Sequence, residues 1–190
     1  MPQLILASES PFRKALLTDL GYEFSTQKPM LDERSLEEQF SGSIQEVAQY
    51  LSVKKAEKIF KDNPNSIIIG SDQVLIFENK TFPKPSNLEE VIHRLLDMQG
   101  KTHELRTGLC LMKKDEVFET TVVAKMTMKN LSEEEIRKYA ELDQPIGCAG
   151  GYKIEENGKD LFENIETDDF NSIIGLPTVA LETKLNQWGL

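Results

Sequence analysis

The fold class of this chain is decided by residues 66–77, SIIIGSDQVLIF. Residues 66–70 form its most strand-like run, and residues 74–77 continue as a strand after Asp72, where no ordinary turn is needed. An acid at the carboxyl end of an apolar strand stands where open α/β sheets place their sites. A carboxylate there could hold a divalent ion or take a proton from water. The alternative, a turn-forming aspartate, is disfavoured by the strand that follows.

Helical and strand-like segments alternate on both sides of this stretch. Upstream, a strand at residues 3–7 leads into a helix that Ser10 caps. A polar, irregular stretch at residues 28–42 precedes a longer helix, which the capping box Ser43-x-x-Glu46 opens. The other predicted elements are a strand at residues 22–27, a hairpin turn at 78–80, capped helices opened by Ser86-x-x-Glu89 and Ser132-x-x-Glu135, a long hairpin of residues 102–112 and 116–129, a hairpin around Asn157-Gly158, and a helix from Pro177 to about Trp188. This alternation predicts an α/β fold with a mixed β-sheet flanked by helices.

The length and charge of the chain limit its partners. Its 190 residues include 22 basic and 32 acidic ones, which gives a formal net charge of −10. This length predicts a single domain over residues 1–190. Nucleic acids and anionic membrane surfaces are poor partners for such a charge, because both attract basic proteins. A small anionic substrate is compatible with it, since a few clustered cations create a local positive pocket.

Cysteine content and hydropathy add further limits. Cys110 and Cys148 are too few for a disulfide scaffold and lack zinc-like spacing, so we interpret both as buried free thiols. No apolar run approaches the ~20 residues that a membrane span needs. The N-terminal residues also lack the basic and apolar regions of a signal peptide. We therefore expect a cytoplasmic protein.

A candidate phosphate site lies at residues 7–14, ASESPFRK, where a strand leads into the start of a helix. The free N–H groups of a helix N-terminus favour anions. Arg13 and Lys14 in the first turn oppose the helix dipole, and a bound phosphate would resolve that conflict. The alternative is that Ser10 only caps the helix and that both cations are solvated.

Other charged residues carry weaker signals. Glu33 in the polar stretch and Lys55 on the long helix are, by themselves, interpreted as solvated surface charges. Lys84 differs, because prolines on both sides fix the backbone and suit it to present one cation to an anionic ligand. The histidines His93 and His103 have no partner at metal-ligand spacing, which favours surface roles.

Together these segments resemble the Maf family of nucleoside triphosphate pyrophosphatases over nearly the whole chain. The motifs that carry the resemblance follow one another at family spacing and are LILASESPFRKALL, IGSDQV around Asp72, FPKP around Lys84, GKTHELRTGLCL, CAGGYKI and DFNSIIGLPTVAL. The resemblance implies a Maf/ITPase-like α/β fold with two lobes and a central cleft. It also implies hydrolysis of the bond between the α- and β-phosphates of a nucleotide, a divalent cation (magnesium or manganese), and a homodimer.

Roles for individual residues follow from the same resemblance. It implies that Asp72 is the catalytic proton acceptor and that Glu33 and Asp72 hold the divalent cation. The residues implied in binding the substrate phosphates are Ser8, Arg13, Lys55 and Lys84. Tyr50 and Lys54 stand where the family usually has an arginine and a glutamate.

Positions around the base imply which nucleotide is recognised. Phe12, Gln73 and Glu155 are similar to the 7-methyl-GTP pyrophosphatase subgroup, which normally has a tryptophan in place of Phe12. Methylation at N7 makes guanine cationic, so an aromatic face attracts it by cation–π stacking worth ~0.5–2 kcal/mol, and Glu155 adds an opposite charge. The alternative is that Phe12 packs in the core and Glu155 is one more solvated acid. The rival functions are a dTTP or UTP pyrophosphatase of the same family and a nucleotide-sensing regulator of cell division without turnover.

Overall fold

A mixed, seven-stranded sheet forms the centre of the computed structural model, which describes residues 3–190. Its strands are β1 (Leu4–Leu6), β2 (Phe24–Thr26), β3 (Ile67–Phe77), β4 (Lys80–Phe82), β5 (Thr102–Lys113), β6 (Glu116–Met128) and β7 (Phe162–Glu166). The strand order is β2-β1-β3-β5-β6-β7, and β4 pairs with β3 beside this row. β1 runs parallel to β2 and β3, whereas the other pairs are antiparallel. The expected mixed α/β fold is confirmed.

Helices cover both faces of the sheet. They are α1 (Pro11–Asp19), α2 (Glu33–Gln39), α3 (Val47–Phe60), α4 (Leu88–Met98), α5 (Glu133–Asp143), α6 (Asn171–Ile174) and α7 (Thr178–Gln187). As predicted, the Ser10 hydroxyl caps α1 by accepting a hydrogen bond from the Arg13 N–H, and the Ser132 and Glu135 capping box opens α5. No helix among residues 3–190 has the length and apolar character required to span a bilayer.

The predicted hairpin around Asn157-Gly158 is wrong. Residues Asn157–Leu161 form a 3₁₀ helix instead, because the buried Asp143 carboxylate accepts hydrogen bonds from the backbone N–H and side-chain amide of Asn157. Gly158 lies so close to the preceding segment that a Cβ would stand 2.3 Å from the Lys153 carbonyl oxygen. A tertiary contact therefore replaces the turn that this dipeptide favours in isolation.

Two further predictions are corrected at helix starts. The stretch 28–42 is not irregular throughout, since it contains α2, which the Asp32 carboxylate caps by accepting from the Ser35 N–H at 3.1 Å. The cap of α4 is Asn87 rather than Ser86, and its side chain accepts from the Glu90 N–H at 2.9 Å. Each helix start uses a short polar side chain, as helix caps usually do.

The hydrophobic core is divided between two lobes that share β3 and β5. In the first lobe, the start of β3 packs against α1 and α7 on one face and against α3 on the other. In the second lobe, the end of β3 packs with β5 and β6 against α4 and α5. The two lobes that the resemblance implied are present, and the cleft between them crosses the middle of β3.

The cleft exists because β3 lacks a neighbour on one edge at its centre. On that edge, β1 pairs with Ile67–Ile69 and β4 pairs with Leu75–Phe77, which leaves residues 70–74 with a strand on the β5 side alone. Successive strand residues point to opposite faces. Asp72 consequently faces α3, whereas Gln73 faces α6.

Two glycines allow α3 to approach the sheet closely at this point. A Cβ at Gly70 would stand 2.2 Å from the Ser52 carbonyl oxygen, and one at Gly108 would stand 2.4 Å from that of Ala48. Gly108 is the direct partner of Asp72 on β5. Close packing here brings the side chains of α3 to the level of Asp72.

Candidate active site

Asp72 and Lys55 form a buried ion pair at the floor of the cleft. The Lys55 ammonium contacts Asp72 Oδ1 at 2.5 Å and Glu33 Oε1 at 3.0 Å. Asp72 is 4% exposed and Lys55 5%, whereas Glu33 is exposed at the N-terminus of α2. Lys55 is therefore not the solvated charge that its position beside Lys54 suggested. It bridges a strand carboxylate and a helix carboxylate.

Asp72 and Glu33 are the two carboxylates near Lys55 that could serve as magnesium ligands. Mg²⁺ is usually held by one or two carboxylates, with waters and substrate phosphates as its other ligands. Asp72 and Glu33 both direct an oxygen to the Lys55 ammonium, so the point on which these two carboxylates converge holds that cation. Within residues 3–190, no group of three or more acids, histidines or cysteines is arranged as a complete metal cage.

Arg13 is held in the cleft by the chain segment that follows α6. Its Nε donates to the Gly175 carbonyl at 2.7 Å, and its Nη1 lies 3.4 Å from the Ser8 hydroxyl. Burial lowers the pKa of Arg13, and the negative charges of Asp72 and Glu33 counteract that shift. The sequence alternative, in which both first-turn cations are solvated, is wrong for Arg13, which is 7% exposed.

Lys84 stands where the parts of the cleft meet. Lys84 lines three adjoining parts of the cleft. The first contains Ser8, Arg13 and Lys55, the second contains Asp72, and the third is the cavity beside Gln73. Desolvation by the cleft walls, followed by repulsion from Arg13, lowers the pKa of the Lys84 ammonium, and Asp72 counteracts this shift. Cations from three separate elements thus converge on one region, as binding of several phosphate oxygens requires.

A second cavity adjoins this cationic region and contains all three predicted base-selecting residues. It is a small cavity of about 90 Å³, and its wall also includes the segment 147–150. Phe12 is half-buried in its wall and belongs to none of the core clusters of the described chain. Partial desolvation at the rim raises the pKa of Glu155. Phe12 is therefore not a core residue, and Glu155, although exposed, lies at the rim of this cavity.

Gln73 is fixed in one orientation by backbone carbonyls. Its Nε2 lies 2.8 Å from the Ser172 carbonyl, 2.9 Å from the Ile173 carbonyl and 3.1 Å from the Thr107 hydroxyl. A flipped amide would set Oε1 against those two carbonyls, so the hydrogen-bond network assigns nitrogen to this position. With its hydrogens used, Gln73 offers the cavity an acceptor, Oε1, and no donor.

The segment 169–175 organises both parts of the site, whereas the sequence identifies it only as part of the motif DFNSIIGLPTVAL. Its carbonyls hold Arg13 and Gln73, as described, and Gly175 also accepts from the Ser71 hydroxyl at 3.0 Å. Asp169 fixes the segment by accepting from the N–H groups of Asn171 and Val179, the second at the start of α7. The signal available in the sequence was the position of Asp169, because an aspartate shortly before a helix start is a natural cap.

Glu37 and His103 are further residues that the sequence misjudged or missed. Partial desolvation, and then the nearby charges of Asp72 and Glu33, raise the pKa of Glu37, which lines the cleft from α2.

His103 is buried rather than on the surface, and its Nε2 lies 2.8 Å from the Tyr152 hydroxyl in the wall of the second cavity. Burial lowers the pKa of His103 to about 4.

The site combines an aspartate at the centre of a strand, a group of converging cations and an adjoining cavity. In an α/β fold, this combination is typical of proteins that bind a small polyanion joined to a flat organic group. The chain belongs to the Maf family, whose description is Maf-like protein and whose model matches residues 3–188. Its relatives include proteins named 7-methyl-GTP pyrophosphatase. That of Bdellovibrio bacteriovorus is 41% identical over 94% of this chain and 93% of its own length.

Other relatives with the same name are more distant but similarly complete. That of Hydrogenovibrio crunogenus is 37% identical over 98% of this chain and 93% of its own length. That of Pseudomonas aeruginosa is 36% identical over 100% and 98%, respectively. Among solved structures, the Staphylococcus aureus Ham1 protein aligns with a TM-score of 0.48 at 14% identity, over 67% of this chain and 72% of that one.

Proposed function

We propose that this protein hydrolyses 7-methyl-GTP to 7-methyl-GMP and pyrophosphate, as a house-cleaning enzyme for non-standard nucleotides. The observation that carries the proposal is the adjacency of two sites. A cationic region around Asp72 adjoins a cavity that presents Phe12, Gln73 and Glu155. Relatives named 7-methyl-GTP pyrophosphatase, which align over nearly all of this chain, support it.

The hydrogen-bond acceptors of the base cavity favour guanine. Gln73 Oε1 and the Glu155 carboxylate both accept, so they suit a base edge that offers adjacent donors, as the N1–H and N2–H₂ groups of guanine do. Thymine and uracil instead present one N–H between two carbonyls. The positive charge that N7 methylation adds is attracted by the Phe12 ring and by Glu155.

The phosphates belong in the cationic region. Arg13 offers the guanidinium N–H groups that Gly175 does not use, and Lys84 adds an ammonium beside the base cavity. Ser8 lies within reach of Arg13 at the same end. Fixed cations of this kind stabilise the charge that develops on phosphate oxygens during hydrolysis.

Asp72 is the proton acceptor in this proposal. A water attacks the α-phosphorus, its proton passes to an Asp72 carboxylate oxygen, and the bond from the α-phosphorus to the bridging oxygen breaks as pyrophosphate leaves. Lys55 orients Asp72 through the contact with Oδ1. A divalent cation, magnesium or manganese, would be held by Asp72 and Glu33 and would supply charge neutralisation and a more acidic water.

The decisive experiment is a nucleotide panel with magnesium or manganese and identification of the released products. We expect kcat/KM for 7-methyl-GTP to exceed that for GTP, dTTP and UTP, with pyrophosphate as a product. A preference for dTTP or UTP would contradict the base assignment and leave pyrophosphatase activity intact. Tight binding without pyrophosphate release would instead indicate a sensor. Cytoplasmic location, a homodimer and the lack of nucleic-acid binding stay predictions.

A further inference from the structure

Lys84 lies in a loop that is anchored on both sides by its proline carbonyls. Proline has no N–H group, so a carbonyl is the only backbone hydrogen-bonding group that Pro83 or Pro85 can offer. Arg94 Nη2 donates to the Pro83 carbonyl at 2.5 Å, and the Gly147 N–H donates to the Pro85 carbonyl at 2.9 Å. Both backbone groups that flank the cation are therefore held from outside the loop.

The same guanidinium reaches the wall of the base cavity. Arg94 Nη1 donates to the Ala149 carbonyl at 2.8 Å, and Ala149 lines both the base cavity and the portion of the cleft beside Asp72. The Arg94 guanidinium also lies over the Phe82 ring, with its central carbon 5.6 Å from the ring centroid. Arg94 projects from α4, whose inner face is buried in the second lobe by Val91 and Leu95.

We propose that Arg94 is a positioning residue that fixes Lys84 and the base cavity relative to each other. The inference rests on the proposed function, in which Lys84 binds phosphate and the cavity binds the base. Arg94 acts through the carbonyls of Pro83 and Ala149 and touches neither part of the nucleotide. Its planar fork holds two carbonyls at once, which the single ammonium of a lysine on a flexible stem cannot reproduce in the same geometry.

The test compares Arg94→Met and Arg94→Lys with the control Arg137→Met. Arg137 is a half-buried arginine on α5, outside the cleft, that pairs with Glu133 and Glu89. Inhibition of 7-methyl-GTP hydrolysis by pyrophosphate reports on the phosphate region, and inhibition by 7-methylguanosine reports on the base cavity. We expect Arg94→Met to weaken both inhibition constants by about tenfold, since small misplacements in an active site have large effects. Arg94→Lys should partly restore one of the two inhibition constants, and the control Arg137→Met should change neither constant.

The outcomes separate the inference from the function on which it rests. If Arg94→Met lowers only the thermal midpoint and leaves both inhibition constants unchanged, Arg94 is merely structural and the inference is wrong. Should Arg94→Met not fold, the same comparison applies to Arg94→Lys, for which unchanged constants would overturn the inference. A wild-type protein that releases no pyrophosphate from any nucleotide would overturn the proposed function and the inference together.

Discussion

Asp72 has two properties that a catalytic base needs, namely a fixed position and a path to the ligand. It is held by Lys55, which is itself held by Glu33, and it lines the open cleft. Removing one partner from a buried ion pair usually destabilises a protein, because the other charge is left uncompensated. Here Glu33 stays in contact with Lys55, so loss of the charge on Asp72 is partly offset.

Asp72→Asn should therefore abolish turnover and preserve the fold. The change is nearly isosteric and removes the proton acceptor, so we expect kcat for pyrophosphate release to fall by about 10²–10⁴-fold. The matched control is Asp143→Asn, which alters a buried aspartate that holds Asn157 outside the cleft. That variant should lose stability in urea unfolding and keep its kcat. An Asp72→Asn enzyme with the wild-type rate would show that another group is the base.

Glu155 should set the preference for a cationic base. Glu155→Gln keeps an acceptor but removes the charge, so we expect the ratio of kcat/KM for 7-methyl-GTP to that for dTTP or UTP to decrease. Because the pKa of Glu155 is raised, the wild-type preference should also weaken as pH falls toward that pKa, where the carboxylate becomes neutral. Glu156→Gln is the control, since Glu156 pairs with Lys153 instead of lining the cavity. An unchanged ratio in Glu155→Gln would remove Glu155 from base selection.

At the scale of elements, the two carboxylates of the proposed cation site come from α2 and β3. The start of α2 carries Glu33, and its end is held on α3 by stacking of Phe40 on Tyr50, with ring centroids 4.4 Å apart. Tyr50 is one of the departures from the family pattern. In this chain it therefore supports the helix that brings Glu33 to Lys55.

Removal of divalent cations should stop the reaction and spare binding of the base. We expect a chelator to abolish pyrophosphate release and excess magnesium to restore it, because the phosphate oxygens lose charge neutralisation without the cation. Binding of 7-methylguanosine, which has no phosphates, serves as the control and should not change. Full activity in excess chelator would exclude a cation at Asp72 and Glu33.

The close approach of α3 to β3 should tolerate no side chain at Gly70. In Gly70→Ala the new Cβ would meet the Ser52 carbonyl oxygen, a backbone atom that cannot rotate away, so α3 has to shift. We expect a loss of about 1–3 kcal/mol in the free energy of unfolding, together with a lower kcat as Lys55 moves from Asp72. Ser52→Ala is the control, since it keeps the carbonyl and removes a hydroxyl whose partners, the carbonyl and side-chain amide of Gln49, lie on α3 itself. Wild-type stability in Gly70→Ala would contradict the contact.

The sequence predicts elements well where their signals are local, and less well where distant residues decide. The strand nature of residues 66–77 follows from their own apolar side chains. In contrast, α2 has no fully buried residue and so lacks an apolar stripe to reveal it. The 3₁₀ helix at Asn157 depends on Asp143, which lies outside this segment, at the end of α5. The same limit applies to the site. The burial of Lys55 and the anchoring of Gln73 depend on contacts that form only on folding, so the sequence does not predict them.

At the scale of the whole molecule, stability is tied to a buried histidine of the second lobe. His103 packs against Tyr152 and Phe162, and its Nδ1 has no hydrogen-bond partner among the described residues. Since burial lowers its pKa from 6.5 to about 4, the unfolded chain takes up a proton in that pH interval and the folded protein does not. Protonation therefore stabilises the unfolded state as the pH falls.

The free energy of unfolding should decrease from pH 6.5 to about pH 4 through this group. The full effect is about 3 kcal/mol, with acidic groups adding their own pH dependence. We expect His103→Gln to flatten this part of the curve in urea unfolding measured across pH. His93→Gln is the control, because His93 is exposed on α4. If both variants follow the wild-type curve, His103 is not the titrating group.

The pairing of β3 with β5 has a mechanical consequence. Its register runs without a break from Ile68 opposite Met112 to Ile76 opposite Glu104, and so passes beneath the cleft from one lobe into the other. A hinge between the lobes would have to bend or break this ladder of hydrogen bonds. We therefore expect the base of the groove to resist hinge motion, so that gating of substrate entry or product exit comes mainly from side chains and surface loops at its rim.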